Sequence, residues 1–413
     1  MADSEMVPTV KSKAQDSLDS TPPVAVPSPL RSVHTNTFAQ ILQQFQVSLA
    51  VTTYQAGKLV LLRPEMQTGS PVVNTHFRNF RKPMGFAFER GRFAVGTTSE
   101  IWEFHDIPAV ARKLDASQSA APCDAVFLPR RCNFTGDVQI HEMVWVPQQH
   151  AAVTNSPTSN ISELWFINTR FSCLATRSDV YSFIPRWHPP FITALAPEDR
   201  CHLNGIALRN GEVRYVTALG DTDSLGGWRQ NKRAGGILMD LKSNQIITRG
   251  LSMPHSPRWH NGRLWLLNSG DGGIGVVDEK TGRYEEVCRL PGFTRGFEFA
   301  GPYAFVGLSQ VRESAVFSGI AIAEIPEKDR CCGVWAVDTR SGHIVGFVKF
   351  TDGVQEIFAV QVLAGLRWPE VLNEEQKQIA ETYELPDEAL RQVPPKLRQL
   401  AAGAGTGIGD PSM

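Results

Sequence analysis

A strand–turn–strand motif recurs along most of the chain and constrains the fold more than any other feature of the sequence. Each copy is an apolar strand ending in Thr, Asn or Ser, then a turn, then a second apolar strand closing on Asp, Asn or a charged residue. The copies begin at Ser48, Phe93, Ala151, Arg214, Leu264 and Tyr303, and the two strands of the third copy are predicted at 151–156 and 163–168. They follow one another at roughly 45 to 60 residues, the period of a four-stranded propeller blade.

One further strand precedes five of the six copies, starting at Met84, His141, His202, His255 and Arg295. The first copy lacks this strand, but a spare strand, Gln355–Leu363, follows the sixth copy. If the spare strand is the innermost strand of the first blade, the ring closes and the exposed sheet edges disappear. The sequence therefore predicts an all-β fold, a six-bladed β-propeller closed by a C-terminal strand. A β-sandwich with a second domain is the alternative.

Composition predicts the structure of the segments that lie before and after the propeller. Residues 1–34 are rich in Ser, Pro, Thr and Asp and poor in aromatic residues, which predicts a disordered leader. The propeller is expected over residues 35–365, entered by a short helix at Phe38–Phe45. Residues 366–400 have helix-compatible spacing broken by prolines and predict a short helical extension. Residues 401–413 are a Gly-rich disordered tail without the G-x-G-x-x-G pattern, so no nucleotide cofactor is expected.

The charge balance argues against several classes of partner. The 41 Lys and Arg residues face 42 Asp and Glu residues, so no broad basic surface is expected for nucleic acid or an anionic membrane. There is no apolar run long enough to span a membrane and no secretory signal. Seven scattered cysteines lack a C-x-x-C pair and are expected to be reduced thiols. We predict a cytoplasmic protein.

Histidine begins three consecutive inner strands, at His141, His202 and His255. Because inner strands start around one mouth of the propeller channel, these imidazoles should converge. Three neutral imidazoles with an open position form a typical catalytic site for zinc, iron or copper. Glu142 and Glu356 are candidates for a fourth ligand or a base. One alternative is that each histidine only hydrogen-bonds the backbone of the neighbouring blade, and another is that the histidines act as acids or bases without a metal.

Polar residues in the loops of the same mouth are candidates to bind a substrate. In the long loop 220–235, Trp228 is suited to stacking, and Arg229 and Lys232 to binding a carboxylate or phosphate. The alternative is a solvated loop with Trp228 packed beneath it. The substrate-binding candidates are Asn204, Trp228, Arg229, Lys232, Arg258, Asn268 and Arg312, and the catalytic candidates are Glu142, Arg295 and Glu356.

Five motifs carry a resemblance to a known family: His202-Leu-Asn-Gly205, Gly226-Gly-Trp-Arg229, Met253-Pro-His-Ser-Pro-Arg-Trp259, Leu290-Pro-Gly-Phe-Thr-Arg-Gly296 and Phe305-Val-Gly-Leu-Ser309. Over about residues 38–365 the chain resembles a bacterial family of conserved hypothetical propeller-type domains, sometimes attached to tetratricopeptide repeats. The resemblance implies no established activity. By architecture alone, the histidine ring is similar to that of six-bladed peptidyl-hydroxyglycine lyases and other metal propellers.

The leading hypothesis is an enzyme that acts on a small anionic or peptide-like substrate at the channel mouth. A metal held by the three histidines would polarise the substrate or activate water, and Glu142 would move a proton. Arg229, Arg295 or Arg312 would hold the anionic end of the substrate. Such an enzyme would be a metal-dependent lyase, hydrolase or oxidoreductase. The alternative is a non-catalytic scaffold that holds a protein or peptide partner on the propeller face.

Overall fold

The first ordered elements lie before the propeller in a computed structural model that describes residues 30–115, 123–148, 162–311 and 318–395. Strand Ser32–His34 (β1) is followed by helix Asn36–Phe45 (α1). The Thr35 hydroxyl accepts a hydrogen bond from Phe38 N at 3.4 Å, which caps the helix. The predicted short helix is confirmed. Strand β1 falls within the leader that was predicted to be disordered. It is ordered because its backbone pairs with the outer strand of the sixth blade.

Six blades of four antiparallel strands make up the body of the protein. The first blade contains Val47–Thr53 (β2), Lys58–Gln67 (β3) and Ser70–Asn79 (β4); the second contains Phe86–Glu89 (β5), Arg92–Gly96 (β6), Glu100–Asp106 (β7) and Ala125–Phe134 (β8), with helix Pro108–Asp115 (α2) before β8; the third contains Ile140–Pro147 (β9), Ser162–Asn168 (β10), Cys173–Thr176 (β11) and Ile184–Trp187 (β12).

The second half of the ring repeats this pattern. The fourth blade contains Leu203–Arg209 (β13), Glu212–Ala218 (β14), Gly236–Asp240 (β15) and Gln245–Leu251 (β16); the fifth contains Pro254–His260 (β17), Arg263–Asn268 (β18), Gly273–Val277 (β19) and Tyr284–Arg289 (β20); the sixth contains Phe293–Ala300 (β21), Tyr303–Ser309 (β22), Gly333–Asp338 (β23) and His343–Phe350 (β24). Short helices lie at Gly227–Asn231, Ser269–Asp271, Ala321–Glu324 (α3) and Glu327–Asp329.

The last innermost strand, Ala359–Ala364 (β25), closes the ring as predicted. It pairs antiparallel with β2, from Val47 opposite Ala364 to Thr52 opposite Ala359. Each innermost strand contacts the innermost strand of the next blade, and the final contacts, β21 with β25 and β25 with β5, complete the circle. The six-bladed propeller closed by a C-terminal strand is therefore confirmed.

The apolar core lies between neighbouring blades. Between the first and sixth blades, Phe38 packs edge to face on Phe305 with ring centroids 5.3 Å apart. In the second blade, Phe93 stacks on Phe104 at 4.8 Å. Because one blade buries its apolar residues only against the next, each blade depends on its neighbours.

The third blade departs from the predicted strand order. The segment 163–168 was expected to be a third strand, but β10 pairs directly with the innermost strand, with Trp165 opposite Val144. The true third strand, β11, is only four residues long and carries too short an apolar pattern to be recognised. The predicted second strand at 151–156 lies outside the described residues.

The C-terminal segment wraps back onto the propeller. Strand Pro369–Val371 (β26) pairs parallel with β8, and helices Gln376–Ala380 (α4) and Asp387–Leu390 (α5) follow. The helical extension is confirmed, and β26 was not anticipated. None of the seven cysteines is part of a disulfide. Among the described residues, no helix has the length and apolar character needed to cross a membrane.

Glu370 of β26 anchors this segment to the first blade. Its carboxylate accepts hydrogen bonds from Arg78 Nε and His76 Nε2, both at 2.9 Å, and Arg63 Nη1 lies 3.7 Å away. Burial alone would raise the pKa of Glu370, but His76 and Arg78 outweigh it and lower the pKa to about 2. The buried ion cluster therefore contributes stability above pH 4.5, and this contribution is lost as the pH falls towards 2.

We predict that Glu370→Gln lowers the free energy of unfolding by about 3 kcal/mol at pH 7, because Arg63 and Arg78 lose their buried counter-charge. Urea denaturation measures the change. The matched control is Glu384→Gln, whose 54% exposed carboxylate pairs with Arg130 at 3.3 Å and should contribute less than about 1 kcal/mol. Equal losses in the two variants would contradict the anchoring role.

Candidate functional site

Five residues from different blades surround one mouth of the channel: His141, His202, His255, Arg295 and Phe358. We call this group the upper mouth. His141, His255 and Arg295 lie in the first three residues of the innermost strands β9, β17 and β21, and His202 and Phe358 immediately precede the innermost strands β13 and β25. Register shifts follow the first residues of β13, β17 and β21. Such bulges bend a strand and re-aim its side chains, which explains why these polar groups turn towards the channel.

The three histidines do not occupy equivalent positions. Ile140, Leu203 and Pro254 each pair with the last residue of the second strand of their blade. His141 and His255 follow that pairing position, whereas His202 precedes it. Gln139, His202 and Met253 are therefore the equivalent residues, and all three have left-handed backbone, with φ of 53°, 51° and 46°. In the fourth blade, Asn204 takes the place of the other two histidines.

His141 and His255 are held by the same pair of hydrogen bonds. His141 Nδ1 lies 2.9 Å from Gln139 O and 2.7 Å from Thr169 Oγ1. His255 Nδ1 lies 2.9 Å from Met253 O and 3.0 Å from Ser269 Oγ. Because a carbonyl oxygen only accepts, the Nδ1 atoms carry the protons and donate. Each Nε2 then bears a lone pair, and neither Nε2 has a hydrogen-bond partner among the described residues.

Both of these imidazoles are neutral at physiological pH. Burial lowers the pKa of His141 well below its usual value, and the charges of Arg295 and His202 lower it further. Burial and the same two neighbours lower the pKa of His255. The side chains are 5% and 4% exposed, so water screens these effects little. The upper mouth thus combines two hydrogen-bond acceptors with a nearby cation.

His202 is oriented by a carboxylate that the sequence analysis missed. Asp199 Oδ1 accepts from His202 Nδ1 at 2.9 Å, and Asp199 Oδ2 accepts from Trp228 Nε1 at 3.0 Å and Arg229 Nη2 at 3.2 Å. The Trp228 ring lies 4.5 Å from the His202 ring, centroid to centroid. His202 therefore has a fixed ring orientation with a carboxylate behind it. No recognisable motif marks Asp199, which lies three residues before the histidine.

Arg295 is the cation of the upper mouth. Its guanidinium carbon lies 3.6 Å from the centroid of the Phe358 ring. Burial lowers the pKa of Arg295 to about 10, although the charges of Tyr54, Glu356 and Glu142 act in the opposite direction. Among the described residues, no carboxylate oxygen lies within 4.0 Å of this guanidinium. Arg295 thus carries a charge in the channel without a salt-bridge partner in the described part of the chain.

A glycine next to Arg295 permits this placement. Gly296 has φ of 70°, and a Cβ atom there would lie 2.6 Å from Val360 N of the closing strand. A side chain at this position would push β21 away from β25. The bulge that turns Arg295 towards the channel therefore requires glycine.

The other predicted catalytic residues are divided between two regions. Glu356 and Glu142 both lie close enough to Arg295 to raise its pKa, but they differ in their hydrogen-bond partners. Glu142 points towards the other end of the channel, where its Oε2 accepts from Arg258 Nη1 at 3.1 Å and Ile206 N at 3.0 Å. Arg258 also faces Glu298 at 3.6 Å and lines a cavity of about 290 Å³ at that end.

The predicted substrate-binding residues are similarly dispersed. Asn204 is fully buried and donates to Pro254 O of the next blade at 3.0 Å. Asn268 accepts from Ser252 N and donates to Asp271 within a turn. Lys232 donates to Ser318 Oγ at the rim. Arg312 lies outside the described residues.

Trp228 is only 2% exposed and packs beneath its own loop. It shares an apolar cluster with Leu219, Met253, Phe293 and Ile320, which joins the long loops of the fourth and sixth blades beside the mouth. A tryptophan buried in this way cannot stack on a free ligand. Its indole instead fixes Asp199 and, through it, His202.

The rings of two of the three candidate metal ligands lie next to each other. The rings of His141 and His202 lie 4.8 Å apart, edge to face. In the described residues, however, no group of three or more His, Cys, Asp or Glu side chains is arranged to hold a metal ion. The strongest features of the mouth are instead a cation and three oriented imidazoles.

These features define the class: a six-bladed β-propeller whose channel mouth is lined by histidine and arginine. Within that class, the chain belongs to the family described as a domain of unknown function, DUF4915, which matches residues 36–372. The expected membership of an uncharacterised propeller family is confirmed. No curated protein sequence matches the chain significantly.

Solved structures with a related shape are distant in sequence. A chain in the crystal structure of a nidogen–laminin complex has 9% identity and a TM-score of 0.44, over 78% of this chain and 99% of that one. A protein of unknown function from Bacteroides caccae has 9% identity and a TM-score of 0.44, over 76% and 98%. The designed protein Ika8 has 11% identity and a TM-score of 0.32, over 77% of each chain.

We predict that the two buried histidines make the protein sensitive to mild acid. Above pH 6.5 both rings are largely neutral in the folded and the unfolded chain, so their lowered pKa values hardly affect the free energy of unfolding. Below pH 6.5 the unfolded chain binds protons that the folded chain does not bind, so the free energy of unfolding falls. Each histidine should remove up to about 1.4 kcal/mol of unfolding free energy per pH unit. His255→Asn should therefore flatten the decline between pH 6.5 and 5.5 in urea denaturation.

The exposed His343 supplies the control for this measurement. His343→Asn should keep the pH dependence of the unmodified protein. A His255→Asn variant with an unchanged slope would show that His255 titrates normally in the folded state.

Proposed function

We propose that the upper mouth binds a small anionic ligand and acts on it by proton transfer. The observation that carries this proposal is the Arg295 guanidinium, which lies in the channel without a salt-bridge partner among the described residues. Arg295 is partly buried, and removing a cation from water costs free energy unless the cation is paired. An anion entering the channel would recover that cost and gain charge-assisted hydrogen bonds.

The rim of the mouth adds positive charge. Arg229 is half-exposed and shares Asp199 with His202. Burial lowers the pKa of the Lys232 ammonium group, and the nearby charge of Arg229 lowers it further. The net charge of the whole chain is −1, so this positive mouth is a local feature. Local potential of this kind steers small anions towards a site.

His202 is the group best placed to move a proton. Its Nδ1 is fixed by Asp199, an arrangement that sets the tautomer and stabilises the charged imidazole when a proton is taken up. Glu142, the base expected from the sequence, is instead engaged by Arg258 and Ile206 N. In the proposed site, Arg295 holds the anionic group and His202 transfers the proton. A ligand that binds without turnover would favour the binding scaffold instead.

A metal at His141, His202 and His255 is the second candidate for this site. It is supported by the Nδ1 donors of all three rings, because ligating histidines commonly donate their other ring nitrogen to a carbonyl or carboxylate. The Arg295 charge beside two of the rings opposes a second cation. We therefore favour the anion site.

Elemental analysis of untagged protein decides between the two candidates. We expect substoichiometric zinc, iron and copper in protein purified without chelator, because a metal would lie beside the Arg295 charge. One metal per chain that is lost in His141→Ala, His202→Ala and His255→Ala would instead establish the metal site.

We predict that Arg295→Met abolishes stabilisation by small anions. Thermal unfolding with inorganic phosphate or propionate should show a rise in Tm for the unmodified protein and none for the variant, because the anion loses its counter-charge. A ligand at 100 times its Kd would add about 2.7 kcal/mol. The variant without anion should unfold at or above the usual temperature, because methionine removes an unpaired charge.

Arg90→Met is the matched control, since Arg90 is exposed in the turn between β5 and β6, at the other end of the ring. It should respond to anions as the unmodified protein does. An Arg295→Met protein that is still stabilised by the same anions would refute the proposed site.

A further inference from the structure

We infer that the ligand of the upper mouth carries a hydroxyl group beside its anionic group, as a 2-hydroxycarboxylate does. This inference rests on the proposed anion site and adds the chemical class of its ligand. It follows from the Nε2 atoms of His141 and His255, which the proton-transfer role of His202 leaves unused.

Arg295 and His141 border the same small volume. Phe358 contacts both: its ring centroid lies 3.6 Å from the Arg295 guanidinium carbon and 5.0 Å from the His141 ring centroid. His255 is near enough for the Arg295 charge to lower its pKa. A ligand whose anionic group reaches Arg295 therefore lies against these two imidazoles.

The two imidazoles can only accept a hydrogen bond from that ligand. Their Nδ1 protons are already donated to Gln139 O and Met253 O, so the Nε2 atom of each neutral ring bears a lone pair. Two acceptors beside a bare carboxylate would repel its oxygens. A hydrogen-bond donor on the carbon next to the carboxylate satisfies the lone pair of at least one Nε2 atom. A ligand without this donor leaves the buried nitrogen unpaired, so we expect it to bind much more weakly.

The donor is a hydroxyl group rather than an ammonium group. An ammonium group would place a second positive charge near Arg295, in a region where burial already lowers the pKa of the guanidinium to about 10. A hydroxyl group donates without adding charge. The site therefore distinguishes three molecules of nearly equal size: lactate, propionate and alanine.

The chain itself provides the substitution that tests this reading. Asn204 occupies in the fourth blade the position that His141 and His255 occupy in theirs. Asparagine keeps a donor where Nδ1 lies and has no atom at the Nε2 position. His141→Asn and His255→Asn therefore remove the Nε2 acceptor and keep a side-chain amide that can donate to the backbone, as Asn204 does to Pro254 O of the next blade.

The experiment measures binding of D- and L-lactate, propionate and alanine to full-length protein by ligand-detected NMR after treatment with a chelator. We expect one lactate enantiomer to bind at least tenfold more tightly than propionate, and alanine no more tightly than propionate. In His141→Asn and His255→Asn, measured singly and together, the ratio of lactate to propionate affinity should fall towards one. His343→Asn should keep the ratio of the unmodified protein.

Each contrary result has a distinct meaning. If none of the four molecules binds, the proposed anion site and the inference both fail. If lactate and propionate bind equally, the anion site stands and the hydroxyl inference is overturned. Tighter binding of alanine, or a lactate preference that persists in the folded double variant, also overturns it.

Discussion

Closure of the ring by β25 is the constraint on which the rest of the structure depends. Each blade buries its apolar residues against its neighbours, so a ring left open would expose two blade faces and a strand edge. The backbone pairing of β25 with β2 joins the two ends of the propeller. The same strand also carries Phe358 and Glu356 to the channel, because they lie one and three residues before its first residue. Closure therefore builds the fold and completes the upper mouth.

The upper mouth contains polar groups whose placement without a partner lowers the stability of the folded state. Arg295 is placed in the channel by a bulge that requires Gly296, and no described carboxylate pairs with it. His141 and His255 are kept neutral beside it. Polar groups left without partners in this way are commoner at sites that bind something than in packed cores. The ligand class proposed for the mouth is the one that satisfies the cation and the acceptors together.

Much of the fold could be predicted from the sequence. The repeated strand–turn–strand pattern predicted six blades, and the missing first strand predicted closure by the C-terminus, because both follow from local periodicity. The third blade was misread where its strand β11 is too short to show a pattern. Strands β1 and β26 escaped notice, since their pairing is with blade edges distant in sequence.

The residues of the candidate site could be predicted from the sequence only in outline. The sequence by itself determined that histidines and an arginine begin the inner strands, and that these starts share one mouth. Only the tertiary structure decided the one-residue offset of His202, the engagement of Glu142 by Arg258, and the role of Asp199. The reason is physical: strand order follows from short-range periodicity, whereas bulges and side-chain partners depend on the backbone of neighbouring blades, which no local pattern encodes.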